Sequence, residues 1–303
     1  MSGILTRDRV FVLLLLVPIL VVIALLIYYP AADTLQTSLT DENLRIRRPT
    51  EFVGLDNYAR LLGDPEFWTV TWRSILLVLI VLPLELVIAF AAALLLNERF
   101  PGRGIVRALV LIPWLVPPVV NGFLWGWILN GEYGALNGLL YQLGIINEYT
   151  YGLREPTSQI LWVAIVHTWT RFAFPMIILL AGMQGIPDEL YDAAKVDGAN
   201  VIRRLRHITI PSMRGSIAIV LVIEFISAFQ IFDVIWTLTS GGSAGGAMNP
   251  FTKTLMIYNY ELVFMDLRIG LGSALSYLVL AMSLGVGLVF VVRLYNQAVE
   301  DKG

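Results

Sequence analysis

An all-α membrane protein with six transmembrane helices is the fold class this sequence predicts, on three observations. Hydrophobic residues make up 57% of the chain and charged residues 15%, with a mean hydropathy of +0.74; a soluble fold of 303 residues could not bury that much apolar surface. Six stretches are long and apolar enough to cross a hydrocarbon core, which needs ~20 residues at ~1.5 Å rise each. They lie at about 10–29, 75–96, 106–128, 159–183, 217–238 and 269–292. The segments between them differ in positive charge. The N-terminus, 97–107, 184–216 and the C-terminus hold twelve Lys and Arg, whereas 30–74, 129–158 and 239–268 hold eight in many more residues. The positive-inside rule therefore places both termini in the cytoplasm.

Composition also sets limits on function. A net charge of −2 without blocks of like charge gives no basic surface for nucleic acid. Zero cysteines exclude disulfides, thiolate metal sites and a cysteine nucleophile, and two histidines leave little for zinc. No H-E-x-x-H occurs.

The elements follow in order. The apolar run Val10–Tyr29 is longer than a signal-peptide core and lacks an A-x-A-like site after it, so it is expected to stay as the first helix. The 30–74 segment, with Asp41, Glu42, Arg45, Arg47 and Arg48, cannot enter lipid and is expected to cap the outer face. Residues 1–74 are thus one region and 75–303 the transmembrane core, which contains the cytoplasmic loop 184–211. In the third span Pro113, Pro117 and Pro118 break the helix just before Asn121, where freed backbone groups could meet a polar solute. In the fourth, His167 and Arg171 share a face and Pro175 removes the donor for the Arg171 carbonyl, so a kink is expected. Arg171 either lines a pathway or pairs with Glu224 or Glu85, and the high cost of an unpaired buried guanidinium favours the ion pair.

Loop 184–216 reads as structured. Pro187 suits a first helical turn, Asp188 and Glu189 suit the positive end of a helix dipole, and Asp197-Gly198 breaks the helix. A second short helix is expected over Ala199–His207 before Pro211. In the fifth span Glu224, Ser227, Gln230 and Asp233 recur every third residue beside Phe225, Phe229, Phe232 and Trp236. Carboxylates, amides and aromatic faces suit sugar hydroxyls. Hydrogen bonding between helices would use the same residues.

Asp192-Ala193-Ala194, Asp197-Gly198-Ala199 and Ile208-Thr209-Ile210-Pro211, at this spacing, resemble the cytoplasmic EAA loop of binding-protein-dependent ABC importer permeases. Asp192 and Ile210 depart from the usual Glu and Leu of that pattern. Phe52-Val53-Gly54-Leu55-Asp56-Asn57-Tyr58, Asp64-Pro65, Phe67-Trp68, Leu111-Ile112-Pro113-Trp114, Pro117-Pro118 and Leu238-Thr239-Ser240-Gly241-Gly242 resemble the maltose-type carbohydrate permeases in particular.

The resemblance implies the type I ABC importer permease fold, in a bacterial or archaeal cytoplasmic membrane. It implies a coupling helix that docks on an ATPase subunit through Asp192, Ala193, Ala194, Asp197, Gly198, Ala199 and Pro211. It implies uptake of a sugar such as trehalose or maltose, with glycerol phosphate as the alternative solute. Asn121, Arg171, Glu224, Phe229, Gln230, Asp233 and Trp236 are the candidates for its path on their own chemistry, as polar residues inside the spans and the aromatic faces beside them. The implied partners are a second homologous permease, two ATPase subunits and an extracytoplasmic sugar-binding protein. No G-x-x-x-x-G-K-[ST] occurs, since the 241–246 glycines lead into Ala247 and Met248. The chain is therefore expected to be no enzyme and to carry no cofactor, with ATP and Mg on the ATPase. A proton-coupled secondary transporter would account for Glu85, Arg171, Glu224 and Asp233 but not for the patterned loop.

Overall fold

The computed structural model describes residues 2–46, 48–150, 153, 156–239 and 251–300. Arg47 and the 240–250 glycine-rich stretch, with Gly241, Gly242, Gly245 and Gly246, lie outside the described residues. The described elements are helical, apart from one isolated antiparallel bridge between Thr40 and Phe52. In chain order they are α1 (Ser2–Ile23), a π turn (Ala24–Tyr28), α2 (Tyr29–Ser38), α3 (Asp56–Gly63), α4 (Pro65–Asn97), α5 (Arg103–Leu115), α6 (Pro118–Ile128), α7 (Ala135–Gln142), α8 (Pro156–Arg171) and α9 (Ala173–Gln184). There follow α10 (Asp188–Val196), α11 (Val201–Arg204), a π turn (Leu205–Thr209), α12 (Ile210–Ser212), α13 (Arg214–Phe229), α14 (Asp233–Thr239), α15 (Leu255–Tyr260), a π turn (Glu261–Met265) and α16 (Ile269–Glu300).

Three stretches qualify as spans unaided: Leu14–Ser38, Pro65–Asn97 and Ile269–Val289. Three more qualify only as bent pairs: α5 with α6 at 92°, α8 with α9 at 51°, and Val201–Ser212 with α13 at 70°. Length and composition thus allow up to six crossings. The first bend falls at Pro117-Pro118 and the second at Phe172, where the missing Pro175 donor and the end of the helix at Arg171 coincide. The first helical stretch runs nine residues past the expected end at 29, to Ser38. Pro30 does not stop it: a π turn immediately precedes it, and the wider turn makes room for the proline ring.

The chain divides into two compact units, Met1–Phe67 with Asn259–Ala281 and Trp68–Tyr258 with Met282–Gly303. In the first unit the Phe52–Tyr58 motif acts as a clamp. Gly54 takes φ +58°, which glycine adopts without steric cost. Buried Asn57 donates its amide to the Ser38 and Thr40 carbonyls at 2.9 and 2.7 Å, and the Tyr58 hydroxyl meets Ser38 Oγ at 2.7 Å. Asp41 binds Arg48 and accepts the Glu51 N–H at 2.8 Å. The start of α16 closes onto the same segment: Leu44 N–H reaches Leu267 O at 2.9 Å and Gly270 N–H reaches Glu42 O at 3.0 Å. A Cβ at Gly270 would stand 2.1 Å from the Thr40 carbonyl oxygen.

In the second unit α4, α9 and α13 share an apolar core of Ala89, Ala93, Met176, Leu179, Met183 and Val220. Small residues let these helices approach: a Cβ at Gly182 would meet Ser216 Oγ at 2.5 Å. The same holds between α6 and α14, where a Cβ at Gly122 would lie 1.7 Å from Thr237 Oγ1. Gly122→Ala is therefore expected to force these helices apart at a cost of about 1–3 kcal/mol. Thermal melting of the purified complex checks this, and an unchanged midpoint would contradict the packing.

Candidate functional site

Two groups of residues are positioned for function, both in the second unit. The first is the protrusion after α9. Pro187 precedes α10, Asp188 and Glu189 sit in its first turn and Lys195 in its last, as the helix dipole favours. Asp197 is the C-cap and Gly198 follows at φ +74°. Gly198 N–H bonds the Lys195 carbonyl at 3.0 Å and Ala199 N–H the Ala194 carbonyl at 2.8 Å, the paired bonds of a Schellman stop. Asn200 then caps α11 by accepting the Arg203 N–H at 2.9 Å. The expected second helix, Ala199–His207, begins at Val201 and passes into the π turn and α12, where Pro211 lies; the bend follows at Met213.

Neither α10 nor α11 buries a residue. Asp192 accepts Lys195 Nζ at 2.8 Å, and that hydrogen bond together with the ammonium charge lowers its carboxyl pKa below the ordinary value. The pair is exposed, so it adds charge pattern rather than stability. Val196, Val201 and Ile202 flank Gly198 and are 88, 69 and 73% exposed. Sequence reasoning singled out the alanines and missed these three. Their signal was present, as apolar residues around the glycine of an otherwise polar loop, which a free surface would not favour. The Tyr191 hydroxyl and Thr209 Oγ1, 3.0 Å apart, tie the two arms together. Beside them opens a cleft of about 610 Å³ lined by Arg99, Asp192, Lys195, Arg204 and others.

The second group lies along α6, α8, α13 and α14. Arg171, the last residue of α8, donates Nε to Glu224 Oε2 at 3.3 Å, and its guanidinium stands 6.0 Å over the Phe174 ring. Glu224 is fully buried while the Arg171 side chain is 28% exposed, so the carboxylate end of this ion pair is the shielded one. His167, one turn earlier, is also buried. The expected four-residue stripe is not continuous, and this is a correction: α13 ends at Phe229, Gln230 to Phe232 are non-helical, and Asp233 opens α14. Asp233 suits the first turn of a new helix, and that helix, α14, is held against α6 where Thr237 meets Gly122. Glu224 is therefore separated from exposed Gln230 and half-buried Asp233 by a break in the span. Phe225 stacks on Phe229 at 5.7 Å and Phe232 on Trp236 at 5.8 Å, one pair on each side of it. Asn121 is buried, and its amide donates to the Pro113 and Val116 carbonyls at 3.0 and 3.3 Å. Those bonds satisfy carbonyls freed by the proline break, so its donor group is held by the backbone.

Similarity to known proteins is extensive. Residues 85–301 match the family described as binding-protein-dependent transport system inner membrane component. The sulfoquinovosyl glycerol transport system permease protein SmoG of Agrobacterium fabrum is 35% identical over 93% of this chain and 90% of its own length. The trehalose/maltose transport system permease protein MalF of Thermococcus litoralis is 36% identical over 94% and 93%. The fold matches a chain of a bacterial ABC transporter involved in the import of the acidic polysaccharide alginate, with a TM-score of 0.80, 22% identity and 96% of both chains covered. The chain thus belongs to the binding-protein-dependent inner-membrane components and is a multi-pass permease subunit of an ABC importer, a family whose ATPase is a separate chain.

Proposed function

We propose that this permease forms half of a sugar-translocation path and transmits ATP hydrolysis to it through the α10–α11 protrusion. The observation that carries the coupling role is the protrusion itself: two short helices without a buried residue, a Schellman stop at Gly198, and exposed Val196, Val201 and Ile202 around it. An ATPase groove would cover those side chains, with Asp192, Ala193, Ala194, Asp197, Ala199 and Pro211 setting register and approach. ATP and Mg are bound by that partner. Two ATPase subunits, a second homologous permease and an extracytoplasmic sugar-binding protein complete the assembly. Both termini are cytoplasmic, on the lysine and arginine asymmetry. The 39–64 segment and the polar stretch before α16 then face outward, where the binding protein would deliver solute. In this reading residues 1–74 supply the first helix and outer cap and 75–303 the transmembrane core.

The break at Gln230–Phe232 supports a path along the fifth span, since unwound backbone in a membrane is tolerated where it lines protein or a water-filled cavity. Gln230, Asp233, Phe229 and Trp236 offer hydroxyl-binding and stacking groups there, and Asn121, Arg171 and Glu224 brace the neighbouring helices. A sugar is supported by the names of the relatives, which transport trehalose and maltose or sulfoquinovosyl glycerol. The test is uptake by the reconstituted complex, with binding protein present, of trehalose, maltose, sulfoquinovosyl glycerol and glycerol phosphate. Uptake of a glycoside that requires internal ATP is expected; uptake driven by a proton gradient alone would sink the proposal, and glycerol phosphate as the solute would remove the sugar.

A further inference from the structure

Glu85 of α4 takes no part in the coupling or the path proposed above, yet it lies in the interior of the second unit. It is fully buried, and neither of its carboxylate oxygens has a hydrogen-bond partner. Glu224 of α13 is equally buried; its Oε2 accepts Arg171 Nε at 3.3 Å and its Oε1 is without a partner. Glu85 lies one turn before Ala89 and Glu224 one turn after Val220, two residues of the core that α4 and α13 share, so the two carboxylates flank that packing and interact with one another, and Arg171 of α8 interacts with both. His167, one turn before Arg171 on α8, is buried with Nε2 unpartnered and contributes no negative charge.

Two carboxylates and one guanidinium leave one uncompensated negative charge, inside helices that cross a membrane and beyond the reach of bulk water. Two bare carboxylates are acceptors only, so nothing in the pair as ionised can bridge the facing oxygens. A single proton resolves both problems, because it cancels the charge and turns one acceptor into an O–H donor. We propose that Glu85 and Glu224 hold one resident proton between them, forming with Arg171 a neutral set that pins the fourth span at its bend. The position supports that task, because Arg171 ends α8 where α9 turns away by 51°. The proton stays with the fold and does not travel with the solute. The inference is independent of the sugar reading, since it concerns the chain's interior alone.

The test compares Glu85→Gln and Glu85→Ala in the intact purified complex with its partner chains. A glutamine amide supplies the N–H that replaces the proton. Glu85→Gln is expected to leave the apparent melting temperature within about 2 °C of the parent, and Glu85→Ala to lower it by roughly 5–10 °C. The infrared band of a protonated carboxyl group should be present in the parent and absent from Glu85→Gln. Glu85→Gln as harmful as Glu85→Ala would overturn the proposal, because it would mean that a negative charge is needed at this position. So would two silent substitutions, or the absence of that band. A melting temperature of the parent that depends on sodium would assign the space to a metal cation instead and overturn it equally.

Discussion

Gly198→Pro is expected to reduce solute uptake to background while the chain still inserts in the membrane. The reason is local. Gly198 sits at φ +74° and donates its N–H to the Lys195 carbonyl, whereas proline is held near −65° and has no N–H. The Schellman stop cannot form, so α11 leaves α10 in a different direction and Val196 no longer lies beside Val201 and Ile202. Gly198→Ala is the graded control: alanine keeps the donor and pays only the left-handed backbone strain of about 1–2 kcal/mol, so partial uptake is expected. Ala194→Trp, a bulky replacement on the same helix, should act like proline by keeping the partner surface at a distance. The decisive readout is ATP hydrolysis stimulated by loaded binding protein. Its loss alongside retained basal hydrolysis supports coupling through this loop, and normal stimulation in Gly198→Pro would remove that role.

What the sequence made legible follows from which constraints are local. The turn at Gly198, the bend at Pro117-Pro118 and the bend before Pro175 each depend on one or two residue types with strong backbone preferences, and all three are where those residues lie. The ion pair between Arg171 and Glu224 was legible for an energetic reason, because a buried guanidinium needs a counter-charge and few carboxylates are available in the spans. The break at Gln230–Phe232 was not legible, since no glycine or proline marks it. It depends on how α14 packs against α6 through Gly122 and Thr237, a contact between residues 115 positions apart that periodicity within one segment cannot reveal. Asn121 misled for a similar reason. A polar residue in an apolar span suggests a solute, but its amide goes to the Pro113 and Val116 carbonyls at the break, the first of them left without a donor by Pro117. The run past Pro30 shows the converse, a proline absorbed by a π turn that no residue pattern announces.

Arg171→Leu is expected to destabilise the complex strongly, whereas Gln230→Leu and Asp233→Asn should lower uptake with little change in stability. Removing the guanidinium leaves Glu224 fully buried without its partner and Glu85 beside it. Breaking a buried pair in this way costs about 3–5 kcal/mol, which corresponds to a fall of roughly 10 °C or more in apparent melting temperature. Gln230 is exposed and Asp233 half-buried in the single chain, so their replacement leaves no buried charge unpaired, and changes of this kind stay within about 1 kcal/mol. If these two side chains line the path, solute loses hydroxyl partners worth about 0.5–1.5 kcal/mol each, and uptake at limiting solute should drop several-fold to about tenfold. The contrary reading is that they bind the second permease, in which case their loss would release that chain in detergent. Melting curves and uptake measured on the same preparations separate the two. Equal destabilisation by all three substitutions would show that the break at Gln230–Phe232 serves assembly, and the translocation path would then have to be sought on another face.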